Sequence, residues 1–210
     1  MKPLSVFYPR ILPYLPGCSE PLVDQVLVSA AIEFSEKSLA LRQNLDSFRT
    51  VIGIDQYDLD APTTNHDIDR VMSVAVDGKE LSPGLFEAIR NDLPTANAKP
   101  RGFYTDRTDN VLTLKLSPPP DGRYPVVVNV NLRPAMTATQ LDDDLFNMWA
   151  EPIVAMAVAR AMQIPDQPFT NFARAQQLLD SAARQTNSAR IDGNYGSVRG
   201  SMRVRARPFA

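Results

Sequence analysis

The sequence predicts an α+β fold: a three-helix core from one N-terminal and two C-terminal helices, an inserted antiparallel β-sheet, and an extended C-terminal arm. Three observations carry this. Apolar residues recur at steps of three, four and seven near both ends of the chain. The middle changes to a period of two, in short β-branched runs separated by turn residues. The last fifteen or so residues alternate again, but between apolar and basic side chains. The reading assigns residues 1–49 and 135–192 to the helical core, 50–134 to the β-rich insertion and 193–210 to the arm. With 210 residues and 44% hydrophobic content, the chain can bury the core of one domain carrying an insertion.

Prolines at 3, 9, 13 and 16 predict an extended or turning start, because proline fixes φ and disfavours helix in the residue before it. Ser19 then reads as an N-cap with Pro21 in the first turn. Val23, Leu27, Ala30, Phe34, Leu41, Leu45 and Phe48 make one stripe, so the helix is expected to run from Ser19 to Phe48. Strands are expected near 50–60, 70–76, 111–116 and 124–132, with "RGFYTD" as a further one. Asp77-Gly78 reads as a tight hairpin turn, and Asp109-Asn110 and Pro118 to Gly122 as the other turns. "SPGLFEAIRNDLP" reads as a short helix.

Helix is expected again from Leu141 to Gln163, apolar on most sides, with Pro152 near its first turns and Pro165 after its end. The surplus apolar surface is expected to pack partly on the insertion and partly near a subunit interface. A third helix is expected from Thr170 to Arg184, with Phe172, Ala175, Leu179 and Ala182 as its stripe.

Catalytic inventory is thin. His66 is the one histidine and lies in turn-rich "PTTNHDIDR", where it reads as a solvent-facing loop residue. Cys18 is the one cysteine; it excludes an internal disulfide, fits a reducing compartment and reads as an inert small residue. Asp142, Asp143 and Asp144 point about 100° apart on a helix and cannot converge on one ion; they read as N-terminal caps. Asp55, Asp58 and Asp60 lack the glycine and distal glutamate of a calcium loop and read as turn and edge charges. No phosphate loop, dinucleotide fingerprint or helical metal pair is present. No catalytic residue, metal or cofactor is therefore expected. No run has signal-peptide form or approaches the roughly 20 apolar residues of a membrane span, so no membrane partner is expected.

The arm carries four of the 22 basic residues and none of the 24 acids, so the net charge of -2 divides into -6 before it and +4 within it. A disordered tail, a nucleic-acid arm and a strand that orders on a partner are the alternatives. Val198, Gly200, Met202, Val204 and Ala206 alternate with Arg199, Ser201, Arg203, Arg205 and Arg207. A nucleic-acid arm needs charge in any order; a strand added to a sheet edge calls for Met202 and Val204 where they stand. The arm thus reads as a partner-binding strand using Val198, Met202, Arg203, Val204, Arg205 and Arg207, with Phe209 as an end anchor. The runner-up is a nucleic-acid-binding accessory protein using the arginine tail. A hydrolase or lyase reading rests on nothing beyond abundant carboxylates.

The phrases "FYPRILPYLPGCSEPLVDQVLVSAAIEFSEKSLALRQNLD", "VIGIDQYDLDAP", "VMSVAVDGKELSP", "LTLKLSPPP" and "LDDDLFNMWAEPIVAMAVARAMQIPDQPF" resemble the adaptor proteins of tailed bacteriophages, also called head-completion, neck or head-to-tail connector proteins. The resemblance covers about residues 6–185. Gly53, Tyr57 and Leu59 stand at the places of a hairpin motif, and Val71, Val74, Asp77, Gly78 and Leu81 at those of a strand pair. These positions record turns and core, not chemistry. The resemblance implies a structural virion protein of the neck, assembled in the host cytoplasm. It would form a ring with itself, usually of twelve copies, under the portal protein. It would extend the channel through which DNA passes and offer a docking surface to tail or nozzle proteins and to tail fibres. The acceptor of the arm would be the portal or a neighbouring adaptor.

Overall fold

Helices occupy both flanks of the chain and strands its middle, giving a mixed α+β structure. The computed structural model describes residues 1–84, 96–108 and 111–195. Of the short helix expected in "SPGLFEAIRNDLP", bounded by Pro83 and Pro94, residues 85–94 lie outside the described residues, as does the Asp109-Asn110 turn; Ser82 and Pro83 are strand.

The start of the chain corrects the expectation of an extended segment. After a two-residue strand, β1 (Lys2–Pro3), three helical turns follow: a 3-10 turn Leu4–Phe7, α1 (Tyr8–Ile11) and a 3-10 turn Leu12–Tyr14. Pro9 and Pro13 each fall at the beginning of a new turn, where the missing N–H is no loss. Burial of Leu4, Phe7, Ile11 and Leu15 holds the turns down, and the Tyr8 hydroxyl donates to Asp24 at 2.8 Å. Burial first, then that carboxylate, push the Tyr8 phenol up to about 12.

Helix α2 (Glu20–Ser38) starts as read, with Ser19 extended and Pro21 in the first turn, though the Ser19 side chain makes no capping bond. It ends at Ser38, not Phe48. Leu39 adopts a left-handed φ of 55° and its N–H closes on the Ser35 carbonyl. The chain beyond is taken by pairing: β2 (Arg42–Asn44) and β3 (Phe48–Arg49) both lie antiparallel to β10 (Pro125–Pro134). Leu41, Leu45 and Phe48 have helical spacing but pack against the β cluster, so tertiary pairing overrides the local pattern.

The middle follows its period of two, except that the strand expected over 50–60 is confined to Gln56–Leu59 and residues 50–55 form a loop. Sheet order is β2-β10-β5-β6, with β3 also on β10, where β5 is His66–Val76 and β6 is Lys79–Glu80. A second sheet runs β4-β9-β8-β7, with β4 Gln56–Leu59, β7 Ser82–Pro83, β8 Gly102–Thr108 and β9 Val111–Ser117. All pairs here are antiparallel except the short β7–β8. Alternate residues Val74 and Val76, Leu112, Leu114 and Leu116, and Val126, Val128 and Val130 bury into one apolar cluster that both sheets share. Between β5 and β6, Asp77 and Gly78 have φ of 53° and 73°, the left-handed pair that a tight hairpin turn requires.

After β10, β11 (Gln140–Leu141) pairs with β1. The single helix expected over 141–163 is two: α3 (Asp143–Asn147) and α4 (Ala150–Met162). Pro152 explains the break. In a continuous helix its ring would meet the carbonyl of Met148, so the helix restarts with Pro152 in its first turn. Trp149 at the junction packs on Phe34 at 5.8 Å between ring centroids.

Helix α5 (Phe172–Tyr195) continues past Arg184, and residues 193–195, read as arm, are helical. Its added length is anchored: Ala189 is buried, and a Cβ at Gly193 would come within 3.2 Å of the Leu39 carbonyl at the end of α2. Helices α2, α4 and α5 contact one another, and the N-terminal turns and α3 join the same cluster of buried side chains.

Where α2 lies on β10 the contact is polar. Asn131 is fully buried and its Nδ2 donates to the Ser35 carbonyl and to Asp69 Oδ2, each at 3.1 Å. Arg133 pairs with Glu36 and lies 3.7 Å from Asp67. Within the helical part, Arg160 of α4 reaches Ser29 and Glu33 of α2.

Candidate functional site

His66 is not the solvent-facing loop residue expected. It begins β5, is 8% exposed, and has both ring nitrogens engaged: Nδ1 lies 2.8 Å from Thr63 Oγ1 and Nε2 lies 2.6 Å from Asp142 Oδ2. A buried imidazole needs partners at both nitrogens. Asp142 occupies the N-cap place of α3 but makes no side-chain cap bond; its carboxylate faces His66 instead of the helix. The pair fastens the first residue of β5 to the start of α3.

Other chemistry-bearing residues have structural partners. Cys18 is half-buried with Sγ 3.7 Å from the Ser19 carbonyl, and burial pushes its thiol pKa up, away from the reactive thiolate. Asp58 accepts from Thr113 Oγ1 at 3.0 Å across β4 and β9. Among the described residues no group of three His, Cys, Asp or Glu is placed to hold a metal, and no helix is long and apolar enough to cross a membrane. The predicted binding residues Val198, Met202, Arg203, Val204, Arg205, Arg207 and Phe209 lie outside the described residues.

Two surfaces stand out in the rest. One is an apolar knob between β3 and β4. Val51, Ile52 and Ile54 are 46%, 59% and 47% exposed, yet their loop is tightly braced. The Tyr57 hydroxyl accepts from the Val51 N–H at 3.0 Å and donates to the Ile54 carbonyl at 2.7 Å. The Gly53 N–H donates to the Pro120 carbonyl at 2.8 Å, and Thr50 Oγ1 donates to the Gly122 carbonyl at 2.7 Å and accepts from the Tyr124 N–H at 2.8 Å. Gly53 has φ of 78°, where a side chain would be strained. Burial raises the Tyr57 phenol pKa, so it stays a neutral donor. Gly53 and Tyr57 are thus the loop's supports. Sequence reading marked both through the resemblance but missed the aliphatic tip; its signal was three aliphatics around a glycine, out of phase with any strand.

The other surface is a groove of about 490 Å³ between the N-terminal turns, α4 and α5. Pro13, Tyr14, Val154, Ala155, Val158 and Leu178 give it an apolar lining, with Arg10 and Glu151 also present. The Arg174 guanidinium sits 6.0 Å from the Tyr14 ring centroid. Val154, on the helix expected to be apolar on most sides, is half-buried and faces this groove.

Comparison with curated proteins finds no match. The chain does match the family profile described as SU10 adaptor protein, over residues 10–205. The match spans most of the chain, including α2 to α5, the two larger sheets and part of the arginine-bearing end. The chain therefore belongs to the SU10 adaptor protein family and is a phage structural adaptor, a component of the virion.

Proposed function

We propose that this adaptor assembles as a ring, about twelve copies by the family resemblance, beneath the portal vertex of the filled capsid, in the neck of the particle. There it joins the portal to the tail and lengthens the DNA channel, without catalysis of its own. The observation that carries this reading is the family match over residues 10–205. The helical core, expected as 1–49 and 135–192 but without residues 42–49, which pair with β10, is then the body of the ring subunit. The insertion of 50–134 lies at the periphery, open to tail, nozzle or fibre proteins.

The arm of 193–210 docks on the portal or on the neighbouring adaptor. What supports this is the alternation of Val198, Met202 and Val204 with Arg203, Arg205 and Arg207, followed by Phe209. With 193–195 in the last helix, the fifteen residues beyond Tyr195 reach up to roughly 50 Å if extended, enough to leave one subunit for another.

The test is a mass measurement of the purified full chain with and without portal protein, repeated with two double variants. Met202→Asp/Val204→Asp should abolish attachment to portal in the absence of DNA. Arg203→Ser/Arg205→Ser should weaken it less. If only the arginine pair mattered, and only with DNA present, the arm would be a nucleic-acid arm and the docking strand would be wrong.

A further inference from the structure

We propose that the knob of one copy seats in the groove of the next, so that Val51, Ile52 and Ile54 pack against Tyr14, Val154, Ala155 and Leu178 of a neighbouring chain. The proposal rests on the ring reading and supplies its contact.

Three observations lead there. First, the knob is preorganised. Exposed aliphatic side chains on a loop held by its own hydrogen bonds lose little freedom when they bind. Second, the chain carries both halves of the contact at separate places. The knob belongs to the β part and the groove to the helical part. A knob and a pocket at different places on one subunit make a heterologous, head-to-tail contact, which closes into a ring when the rotation permits.

Third, the charges match. Arg10 and Arg174 flank the groove and form no ion pair among the described residues. Asp55 and Asp121 flank the knob and form no ion pair among the described residues, although Lys99, over the Tyr124 ring and bonded to Asp77, is a cationic neighbour of Asp121; Asp121 accepts from the Tyr124 hydroxyl at 2.8 Å. The minority charges correspond as well, Glu151 in the groove and exposed Arg123 beside the knob. Electrostatic matching of this kind fixes partner and register. The occupant is therefore a second copy of this chain.

The experiment uses the full-length chain carrying Cys18→Ser, with and without portal protein. Ile52→Cys and Ala155→Cys are made separately and treated with a short bis-maleimide, alone and mixed. Cross-linked dimer should form in the mixture and not with either variant alone, in whichever state rings are present. In native mass spectrometry, Ile52→Asp and Ala155→Glu should each lose the ring, while their mixture recovers a dimer of one of each. One keeps an intact groove and the other an intact knob. Circular dichroism melts identical to wild type establish that the variants fold; if Ala155→Glu does not, the cross-linking alone decides. Rings that persist in Ile52→Asp, with no knob-to-groove cross-link, overturn this contact and leave the ring standing. A chain that stays monomeric both alone and on portal overturns the ring, and the contact with it.

Discussion

The helical part and the β part are held together differently from the way they are held to each other. Inside each, cohesion is apolar: Phe7, Leu27, Phe34 and Ile153 in one, Val74, Leu114, Val126 and Val130 in the other, all essentially without exposure. Between them, beyond Leu41, which packs on both clusters, α2 meets β10 and β5 through the polar groups of Asn131, Ser35, Asp69, Arg133 and Glu36. Apolar burial is strong and non-directional. Hydrogen bonds contribute less net energy but demand geometry. The contrast teaches that the two clusters supply the stability, while the polar seam sets the orientation of the sheets on the helices. For an adaptor, that orientation decides where the knob points.

The sharpest way to break the comparison is Leu27→Asp. It places an unpaired charge in the helical cluster and should cost at least about 3 kcal/mol by thermal or urea unfolding. Val154→Asp, in the groove wall, should cost about 1 kcal/mol because the carboxylate reaches water. Equal losses would mean that the groove is closed. In the β part, Gly78→Val should cost about 2 kcal/mol from left-handed strain alone, since nothing lies within 4 Å of the added Cβ. Gly78→Asn, which tolerates that φ, should lose far less, and a similar loss for both would point to a steric cause.

At the seam, Asn131→Ala should cost about 1.5 kcal/mol and no more, because neither partner is orphaned. The Ser35 carbonyl still accepts from the Leu39 N–H at 3.1 Å, and Asp69 still holds Arg70 at 2.7 Å. Amide exchange in β10 should rise more than in α4; uniform acceleration would count against a seam.

The smallest effect expected is a pH dependence in the helical part. Burial pushes the Glu33 carboxyl up, but Lys37 and Arg160 outweigh it and hold it below its ordinary 4.5. A folded pKa below the unfolded one adds stability that is present above about 4.5 and lost as pH falls through the folded value. The difference between wild type and Glu33→Gln should be flat near neutrality and shrink below that point. Partial solvation limits it to under about 1 kcal/mol. A gap that widened in acid would reverse the sign of the assigned coupling.

Features settled within a few residues were legible in the sequence. The strand alternation of Val74, Val76, Val126 and Val128, the Asp77-Gly78 turn and the start of α2 at Ser19 all depend on neighbours along the chain. Features settled across the chain were not. The end of α2 is set by β2 and β3 pairing with β10, and the burial of His66 by Asp142, 76 positions away. The break before α4 was readable in principle, because Pro152 forbids the bond to Met148. Of the candidate surfaces, only Gly53 and Tyr57 were marked beforehand, as turn positions. The groove needs three separate segments to exist at all.

The two clusters also differ in when a ribosome can finish them. The buried β residues all fall between Leu59 and Leu132, whereas the helical cluster draws on Leu4 to Phe34 and then on Leu141 to Ala189. At about 5–20 residues per second, Phe34 waits on the order of ten seconds for Ile153 to be made. During that interval the apolar stripe of α2 has neither α4 nor α5 to cover it, and chaperones or aggregation have their opening. Pulsed hydrogen exchange on stalled chains should protect β5 and β10 before α2. Protection of α2 together with β5 and β10, before Ile153 is made, would mean that it finds cover on the sheet alone.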